Sequence, residues 1–391
     1  MNILFVTNKN VYPLIGGIER ITYSVAEALR NIYGMRCYSL YTQENKFGET
    51  TTDVFEQKEC LLSTNPVEQI VAYIKRASIQ VVIAQGSDAR VNELMPQLRA
   101  AVDQCPGVKL LFVYHQMPGF ELVPMDVPTL WNRMLHGNTK AAIRQMLIQV
   151  IHSVAPIAAE KMVRSKYKMP YDKADKVVLL SDGFIAQYNH FVHGNESRYA
   201  AIHNMLSFPS SEIKEEKKQK EVLVVSRLDE KQKRIKHALK VWRKAYQPDW
   251  QLRIVGYGED MSYYQSLAHK WQLKNISFEG LQNPFPYYQQ ASIFLMVSAY
   301  EGWGLTITEA QQCGCVPIAF DSFSAVHDMI LSGRNGYILP EGDVEGYARQ
   351  LKELMNNEEE RIALAANCRK DCMRFSRENI AKQWKTLLET L

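Results

Sequence analysis

The stretch IFLMVSAYEGWGLTITEA, residues 293–310, joins an apolar run to a glycine-containing loop and then to a helical segment. The run at 293–297 is short, apolar and uninterrupted, which predicts a strand buried on both faces of a parallel sheet. Gly302 and Gly304 let the backbone of the loop turn sharply and approach a ligand. Open α/β sheets bind ligands at the carboxyl ends of their strands, so this loop is a candidate binding site.

The same alternation of short strands and helices continues on both sides of that stretch, from Glu221 onward. It predicts a doubly wound α/β domain. The predicted strands are 222–225, 252–255, 276–278, 293–297 and 316–320, and helical patterns occupy 237–246, 261–271 and 308–313.

The N-terminal half repeats this pattern, which predicts a second α/β domain. The segment PSSEIKEEKKQK, residues 209–220, has no apolar periodicity and mixes glutamates with lysines, as a solvated linker does. The domains are therefore predicted at 1–208 and 209–375. The N-terminal strands are predicted at 3–7, 37–41, 81–84, 109–114 and 176–180.

Composition excludes several classes of protein. The chain has 391 residues, 46% of them apolar and 23% charged, as in an ordinary globular protein. A net charge of +4 without a clustered basic stripe predicts no nucleic-acid partner. Seven scattered cysteines favour reduced thiols and a cytoplasmic location. The start MNILFVTNKN is typical of a first strand rather than a secretion signal.

Neither a membrane span nor a metal site is expected from the sequence. The apolar stretch at 146–159 is interrupted by polar residues and proline, and it is shorter than the roughly 20 residues that cross a bilayer. Cys313 and Cys315 form a C-x-C pair, but no second pair of ligands follows at zinc spacing.

A dehydrogenase is the first alternative for two Rossmann-like halves. Its G-x-G-x-x-G fingerprint should lie between a first strand and a first helix. Gly256 and Gly258 give only G-x-G, and Glu259 and Asp260 follow at once. Those carboxylates would repel a pyrophosphate, so the dinucleotide interpretation is disfavoured.

The loop at 298–310 is suited to a phosphate and a sugar. The N–H groups of Gly304, Leu305 and Thr306 open a helix whose positive end attracts phosphate. Glu301 and Glu309 flank that position and can accept hydrogen bonds from sugar hydroxyls. For Glu309 a structural alternative exists, because T-x-x-E is also a capping box that folds back on the helix start.

This loop, with the following QQCGCVPIAFDS and GRNGYIL, resembles the E-x7-E region of the family 4 retaining glycosyltransferases of GT-B fold. The resemblance implies two Rossmann-like doubly wound domains facing a central cleft. The N-terminal domain would bind the acceptor and the C-terminal domain the nucleotide-sugar, and a C-terminal helix at 376–391 would cross back to the N-terminal domain. By the same resemblance, Glu301 contacts the donor sugar and Glu309 holds the ribose.

A basic loop follows the first strand of the C-terminal half, in VVSRLDEKQKRIKHAL. By the resemblance, Arg227 and Lys233 grip the donor diphosphate, where cations stabilise the charge of the departing nucleotide. The spacing differs from the family's commonest form by one extra residue. Lys231, Arg234 and Lys236 are therefore alternatives to Lys233.

Two further matches lie in the N-terminal half. Gly16 and Gly17 resemble the family's G-G-x-E loop, which faces the diphosphate and the acceptor. A plain turn is the alternative interpretation of this pair. His115, at the end of the strand 109–114, matches a histidine near the donor sugar, although a lone histidine there is often structural.

The sequence thus predicts an enzyme, a retaining glycosyltransferase that moves a sugar from a nucleotide-diphosphate sugar to a glycan or lipid-linked glycan. Cell-surface polysaccharide or lipopolysaccharide synthesis is the expected setting, with no cofactor and no metal. The alternatives are a sugar-nucleotide epimerase of the same fold and a non-catalytic sugar-nucleotide-binding subunit.

An anionic membrane surface is a further expected partner, which would make the protein peripheral on the inner face of the membrane. The segment Trp131–Lys176 carries an excess of basic residues with apolar ones interleaved, as helices that lie on membranes do. The alternative is a helix pair with a buried apolar side and a solvated basic side.

Overall fold

The computed structural model describes residues 1–12, 16–44, 54–62, 65–86, 89–124, 139–213 and 217–391. Within these ranges, thirteen strands form two sheets, in which every strand pairs with its neighbours in parallel. The chain divides into two compact units. The first unit comprises residues 1–122, 150–205 and 375–391, and the second comprises 123–149 and 206–374.

The sheet of the first unit has seven strands in the order β3-β2-β1-β4-β5-β6-β7. Five of them were predicted from their apolar runs. The other two, β3 and β7, are three residues long and lie at the edges of the sheet, where no continuous apolar run is required. The strands are β1 (Asn2–Lys9), β2 (Arg36–Gln43), β3 (Lys58–Cys60), β4 (Val81–Gly86), β5 (Lys109–Tyr114), β6 (Lys176–Leu179) and β7 (Tyr199–Ala201).

Six helices lie before Gln219 in the described part of the chain. Helix α1 begins after Gly16 and buries the face that carries Val25 and Leu29. The helices are α1 (Gly17–Tyr33), α2 (Pro66–Arg76), α3 (Ala89–Val102), α4 (Thr139–Val154), α5 (Pro156–Lys173) and α6 (Asp182–Val192). No helix in the described ranges is both long enough and apolar enough to cross a membrane.

The sheet of the second unit has six strands in the order β10-β9-β8-β11-β12-β13. The sequence predicts all but β13, a four-residue edge strand. The strands are β8 (Gln219–Val225), β9 (Gln251–Val255), β10 (Ile276–Gly280), β11 (Ala291–Met296), β12 (Val316–Asp321) and β13 (Tyr337–Pro340). The helices are α7 (Ile235–Ala245), α8 (Met261–Lys270), α9 (Phe285–Gln290), α10 (Leu305–Gln312), α11 (Val326–Met329), α12 (Val344–Asn356) and α13 (Glu358–Asp371).

Both sheets reverse their strand order beside the first strand of the unit, so the prediction of two Rossmann-like doubly wound domains is confirmed. The reversal falls between β1 and β4 in the first unit and between β8 and β11 in the second. At such a switch point the loops on either side leave in opposite directions and open a crevice at the carboxyl ends of the strands.

Helix α7 fixes the position of the basic loop that precedes it. Its apolar residues recur at helical spacing, and Ile235, Ala238, Leu239 and Trp242 are all fully or almost fully buried in the core of the second unit. Arg234 ends the loop in the left-handed conformation, with φ of 48°. The loop from Ser226 to Arg234 therefore lies at the carboxyl edge of β8, between two buried elements.

The predicted linker at 209–220 is wrong at its end. Gln219 and Lys220 already belong to β8, and Lys218 is only partly exposed. Its Nζ donates hydrogen bonds to the carbonyl oxygens of Tyr288 at 2.9 Å and Gln289 at 2.8 Å. These are among the last carbonyls of α9, which a lysine can satisfy. Burial lowers the pKa of Lys218.

The last helix, α14 (Arg377–Glu389), belongs to the first unit and packs on α1. Arg377 forms an ion pair with Glu27 of α1, and the ammonium group of Lys385 lies 5.0 Å from the ring centroid of Tyr33. The sequence predicted the boundary between the two domains between residues 208 and 209. In the structure the chain passes from the first unit to the second between Met205 and Leu206. The second passage into the first unit lies at Phe375.

Candidate functional site

A lysine and a glutamate meet at the carboxyl edge of the second sheet. Glu301 lies in the loop after β11, and only 7% of the residue is exposed. The Nζ of Lys233 donates to its Oε1 at 2.6 Å. The Nε2 of Gln232 donates to its Oε2 at 3.3 Å. The switch point between β8 and β11 thus holds a nearly buried carboxylate with two donors from the basic loop.

Gln232 joins this carboxylate to the arginine of the same loop. Its Oε1 accepts a hydrogen bond from a terminal nitrogen of Arg227 at 3.0 Å, and its Nε2 also donates to the carbonyl oxygen of Tyr300 at 3.2 Å. The backbone carbonyl of Gln232 accepts from the N–H of Ala299 at 2.7 Å. Sequence reasoning missed Gln232, because its amide reaches Tyr300 and Glu301, which are 68 and 69 residues away in the sequence.

Arg227 is presented outward. Its side chain is 62% exposed, and its guanidinium also reaches Asp229 at 3.4 Å. A guanidinium has five N–H donors, so contacts from one terminal nitrogen leave others able to reach a ligand.

The structure separates the four basic residues that the sequence offered for contact with the diphosphate, which are Lys231, Lys233, Arg234 and Lys236. Lys233 reaches Glu301, whereas the guanidinium of Arg234 pairs with Glu341 at 2.8 Å. The backbone N–H of Lys231 donates to Asp229 at 2.9 Å. The backbone N–H of Lys236, in the first turn of α7, donates to Glu230 at 3.2 Å. Of these predicted candidates, Lys233 is the residue that the structure brings to Glu301.

The start of α10 completes this edge of the sheet. Gly304 precedes the helix with φ of 96°, a conformation that a side chain would strain. The first N–H groups of a helix have no carbonyl partner within the helix. In α10 these N–H groups belong to Leu305 and Thr306. Thr306 lines the same small cavity as Ser226, Lys233 and Glu301. Gly302 is buried in the loop between Glu301 and the helix.

The capping-box interpretation of Glu309 is wrong. Because α10 starts at Leu305 with Gly304 as its N-cap, Thr306 is the second helical residue and Glu309 the fifth, which is not the spacing of a capping box. Glu309 is 1% exposed and accepts hydrogen bonds from Ser207 at 2.8 Å and from Tyr288 at 3.1 Å. A carboxylate has about four acceptor sites, so these two hydrogen bonds do not use all of them. The contact of Glu309 with a ribose stays a prediction.

The remaining predicted residues lie in the first unit. Gly16 is the N-cap of α1 with φ of 78°, and an added Cβ there would lie 2.0 Å from a carboxylate oxygen of Glu19. Gly17 opens the helix, and no heavy atom would lie within 4 Å of an added Cβ. Residues 13–15 of this loop are outside the described ranges. Gly16 lies between β1 and α1, and the contact of this loop with a ligand stays a prediction.

His115 follows β5 directly. Its Nε2 and the Oε1 of Gln85 are 2.5 Å apart, and because an amide oxygen only accepts, the imidazole donates through Nε2. Burial lowers the pKa of His115 to about 4, which keeps the ring neutral at physiological pH. The contact with a donor sugar stays a prediction.

A separate cavity of about 480 Å³ lies at the opposite, amino end of β8 and β11. Lys217, Arg361 and Arg369 are among its basic lining residues, with Glu358 beside them. Parallel sheets bind ligands at their carboxyl edge, and the residues that the sequence singles out meet there. The candidate donor site is therefore the smaller cleft beside Lys233 and Glu301.

The comparisons with known proteins concern the family and the fold. Residues 209–371 match the family described as glycosyl transferases group 1. These residues are a group 1 glycosyltransferase domain. The domain contains both sides of the switch point, from the loop of Arg227 to the start of α10.

Two curated relatives match parts of the chain. An uncharacterized glycosyltransferase of Haemophilus influenzae is 30% identical over 157 residues, which are 39% of this chain and 44% of that protein. The amylovoran biosynthesis glycosyltransferase AmsD of Erwinia amylovora is 27% identical over 227 residues, 56% of this chain and 63% of that protein. The matched part of this chain thus spans less than two thirds of either relative.

Solved structures resemble the whole chain. The lipopolysaccharide outer core galactosyltransferase WaaB matches with a TM-score of 0.68 at 18% identity, and Anabaena Alr3699/HepE in complex with UDP matches with a TM-score of 0.76 at 16% identity. Each match covers all of both chains. At these identities the likeness concerns the fold, and it extends beyond the group 1 domain to the first unit.

Proposed function

We propose that this chain is a retaining glycosyltransferase of family 4 that transfers a sugar from a nucleotide-diphosphate sugar to a glycan or lipid-linked glycan. The observation that carries the proposal is the meeting of Lys233 and Glu301 at 2.6 Å beside the N-terminus of α10, within the group 1 domain. In the proposal, Lys233 and the first N–H groups of α10 bind the diphosphate of the donor, and the carboxylate of Glu301 binds hydroxyls of its sugar.

The charges of the cleft suit the bond that must break. Cleavage of a sugar–phosphate bond increases the negative charge on the departing nucleoside diphosphate. Arg227, Lys233 and the N–H groups of Leu305 and Thr306 provide fixed positive charge and dipoles for that group. Because Gln232 and Glu301 already hold the two cations, little reorganisation is needed when the charge develops.

The proposed step needs no protein nucleophile. The acceptor hydroxyl oxygen forms a bond to the anomeric carbon on the face from which the nucleotide leaves, while the bond from that carbon to the phosphate oxygen breaks. The acceptor proton passes to the departing phosphate. Glu301 binds sugar hydroxyls and Glu309 binds the ribose. The one N–H of the neutral His115 ring is held by Gln85, so His115 accepts a hydrogen bond from a sugar hydroxyl through Nδ1.

The setting proposed is cell-surface polysaccharide synthesis. AmsD is named for amylovoran biosynthesis and WaaB for the lipopolysaccharide outer core, which support a glycan acceptor. HepE was solved with UDP, which supports a nucleoside diphosphate in the donor. The acceptor, the sugar and the base of the donor are parts of this proposal.

The first experiment is a thermal-shift screen with UDP, GDP, ADP and their sugars. A ligand that binds only the folded chain at 100 times its Kd adds about 2.7 kcal/mol to the free energy of unfolding. The nucleotide that raises the melting temperature identifies the base. If none of these compounds shifts it, the donor-site assignment is overturned.

A product assay with the identified donor then separates the three activities. Transfer to a glycan supports the proposal, whereas an epimerised donor without acceptor indicates the epimerase, and binding without any turnover indicates a binding subunit. NMR of the new glycosidic bond reports its anomeric configuration. A configuration opposite to that of the donor would refute the retaining mechanism while leaving transfer intact.

A further inference from the structure

The basic segment predicted to meet a membrane, Trp131–Lys176, is described only in part. Trp131 and Arg133 lie outside the described residues, as do the side chains of Lys140 and Arg144. The remainder includes the end of α4 and all of α5. The structure shows there an apolar surface that the charge pattern alone did not locate.

Helices α4 and α5 meet at a turn whose apolar side chains project into solvent. Val154 ends α4 and Ile157 lies in the first turn of α5, and they are 77% and 69% exposed. Val150, one turn before Val154, is 52% exposed, and Met162 is 46% exposed. We call these four residues the α4–α5 corner. All four belong to the first unit.

The opposite side of α5 is an ordinary helix–core contact. Ala159, Val163 and Tyr167 are completely buried, and the Tyr167 hydroxyl donates to Glu121 at 2.5 Å and accepts from the N–H of Gly119 at 2.8 Å. The helix therefore already has a buried face. The exposed apolar residues of the corner are additional to that face, and folding of the unit does not account for their chemistry.

The charge around the corner is positive. Residues 151–170 contain four basic residues and one acidic residue, Glu160. Lys166 and Lys168 pair with Glu121 and Asp172, each at 2.9 Å, so the positive charge nearest the corner comes from Lys161 and Arg164. Lys161 is exposed one turn after Ile157, and Arg164 is half-buried one turn later. Lysines and arginines beside protruding apolar side chains are what an anionic lipid surface attracts.

We propose that the α4–α5 corner docks the protein reversibly on an anionic lipid bilayer. Val154 and Ile157 would enter the boundary between headgroups and acyl chains, while Lys161 and Arg164 meet the lipid phosphates. A bilayer is favoured over an acidic protein because these side chains each protrude and are surrounded by solvent. This proposal rests on exposed residues of the first unit and is independent of the proposed sugar transfer.

The test is co-sedimentation of the purified chain with vesicles of phosphatidylcholine alone and with vesicles containing phosphatidylglycerol, at low and high salt. We expect binding to the anionic vesicles that weakens in high salt. The V154E/I157E double variant should bind about tenfold more weakly, because each substitution removes an apolar contact and adds a negative charge. The Lys161→Glu variant should weaken binding as well.

Two matched controls come from the second unit. Ile362 and Leu281 are 64% and 82% exposed apolar residues, and I362E and L281E should leave vesicle binding unchanged. All variants should keep the wild-type melting temperature and nucleotide affinity. Equal binding by wild type and V154E/I157E would overturn the proposal, and so would the absence of binding to any vesicle. A wild-type dimer in sedimentation velocity that V154E/I157E abolishes would instead assign the corner to a second copy of the chain.

Discussion

The Nζ of Lys233 lies 2.6 Å from the Oε1 of Glu301 across a sequence separation of 68 residues. The two side chains are 19% and 9% exposed. Each comes from a loop that leaves the carboxyl edge of the sheet, one after β8 and one after β11. The pair therefore ties together the two sides of the switch point and fixes a carboxylate and a cation in the candidate donor site.

Breaking this pair from one side should cost more than removing it whole. In Lys233→Ala, Glu301 keeps its charge in a nearly buried position, so we expect a loss of about 2–4 kcal/mol in the free energy of unfolding. The K233A/E301A double variant should lose less than Lys233→Ala alone, and therefore less than the sum of the two single variants. Urea unfolding of all four proteins measures this coupling. Strict additivity would mean that the pair makes no energetic contribution.

Arg227→Ala should reduce transfer without loosening the fold. The side chain is 62% exposed and presents its guanidinium to solvent, so its removal leaves no buried group unpaired. Transfer should fall by about 100-fold, as when one preorganised group that stabilises developing charge is removed. The measurement is kcat/KM beside the melting temperature. Arg349→Ala, at an exposed arginine of α12, is the control and should keep full activity.

Gln232→Glu should expose the function of the amide that bridges Arg227 and Glu301. The substitution keeps the size of the side chain but places a second carboxylate about where Nε2 donates to Glu301. Two carboxylates repel once both are ionised, so the destabilisation relative to wild type should grow as the pH rises from about 4 to 7. Urea unfolding at several pH values measures it. Gln232→Ala, which adds no charge, should show a loss that does not grow with pH.

Sequence patterns located the elements of this fold where a feature is continuous along the chain. The apolar runs of β1, β4, β5, β8, β9 and β11 predicted the two sheets, because buried parallel strands need such runs. Edge strands have no such requirement, and of the four edge strands only β10 was predicted, whereas β3, β7 and β13 were not. The E-x7-E and basic-loop resemblances named the residues of the candidate site before any geometry was known.

Relations between distant residues were not predictable from the sequence. The resemblance already favoured Lys233 over Arg234, but it did not show the ion pair of Arg234 with Glu341, which is 107 residues away. The capping-box spacing of Glu309 is a local pattern, but it was overruled by the position of Gly304 and by the hydroxyls of Ser207 and Tyr288. Such contacts form only when separate segments pack together.

Transfer should proceed without a divalent metal. A metal in other glycosyl transfers neutralises the diphosphate, and here Arg227, Lys233 and the start of α10 are proposed to supply that positive charge. Activity should be the same in EDTA as in Mg²⁺ or Mn²⁺. Complete loss in EDTA that either metal restores would contradict the prediction and would point to an acidic group that helps to bind the donor.

His115 should make the first unit sensitive to acid. Its pKa in the folded chain is about 4 because burial disfavours the charged ring, whereas an unfolded histidine has a pKa of about 6.5. The unfolded state therefore takes up a proton first as the pH falls. The stability that the neutral ring supplies is complete above about pH 6.5 and declines as the pH falls toward 4, by about 1 kcal/mol between pH 7.5 and 5.5.

His115→Gln should remove that part of the decline while it keeps a donor for Gln85. Urea unfolding at both pH values measures the difference, and His269→Gln, at an exposed residue of α8, should leave the wild-type decline in place. An undiminished decline in His115→Gln would show that the ring is already charged or solvated in the folded chain.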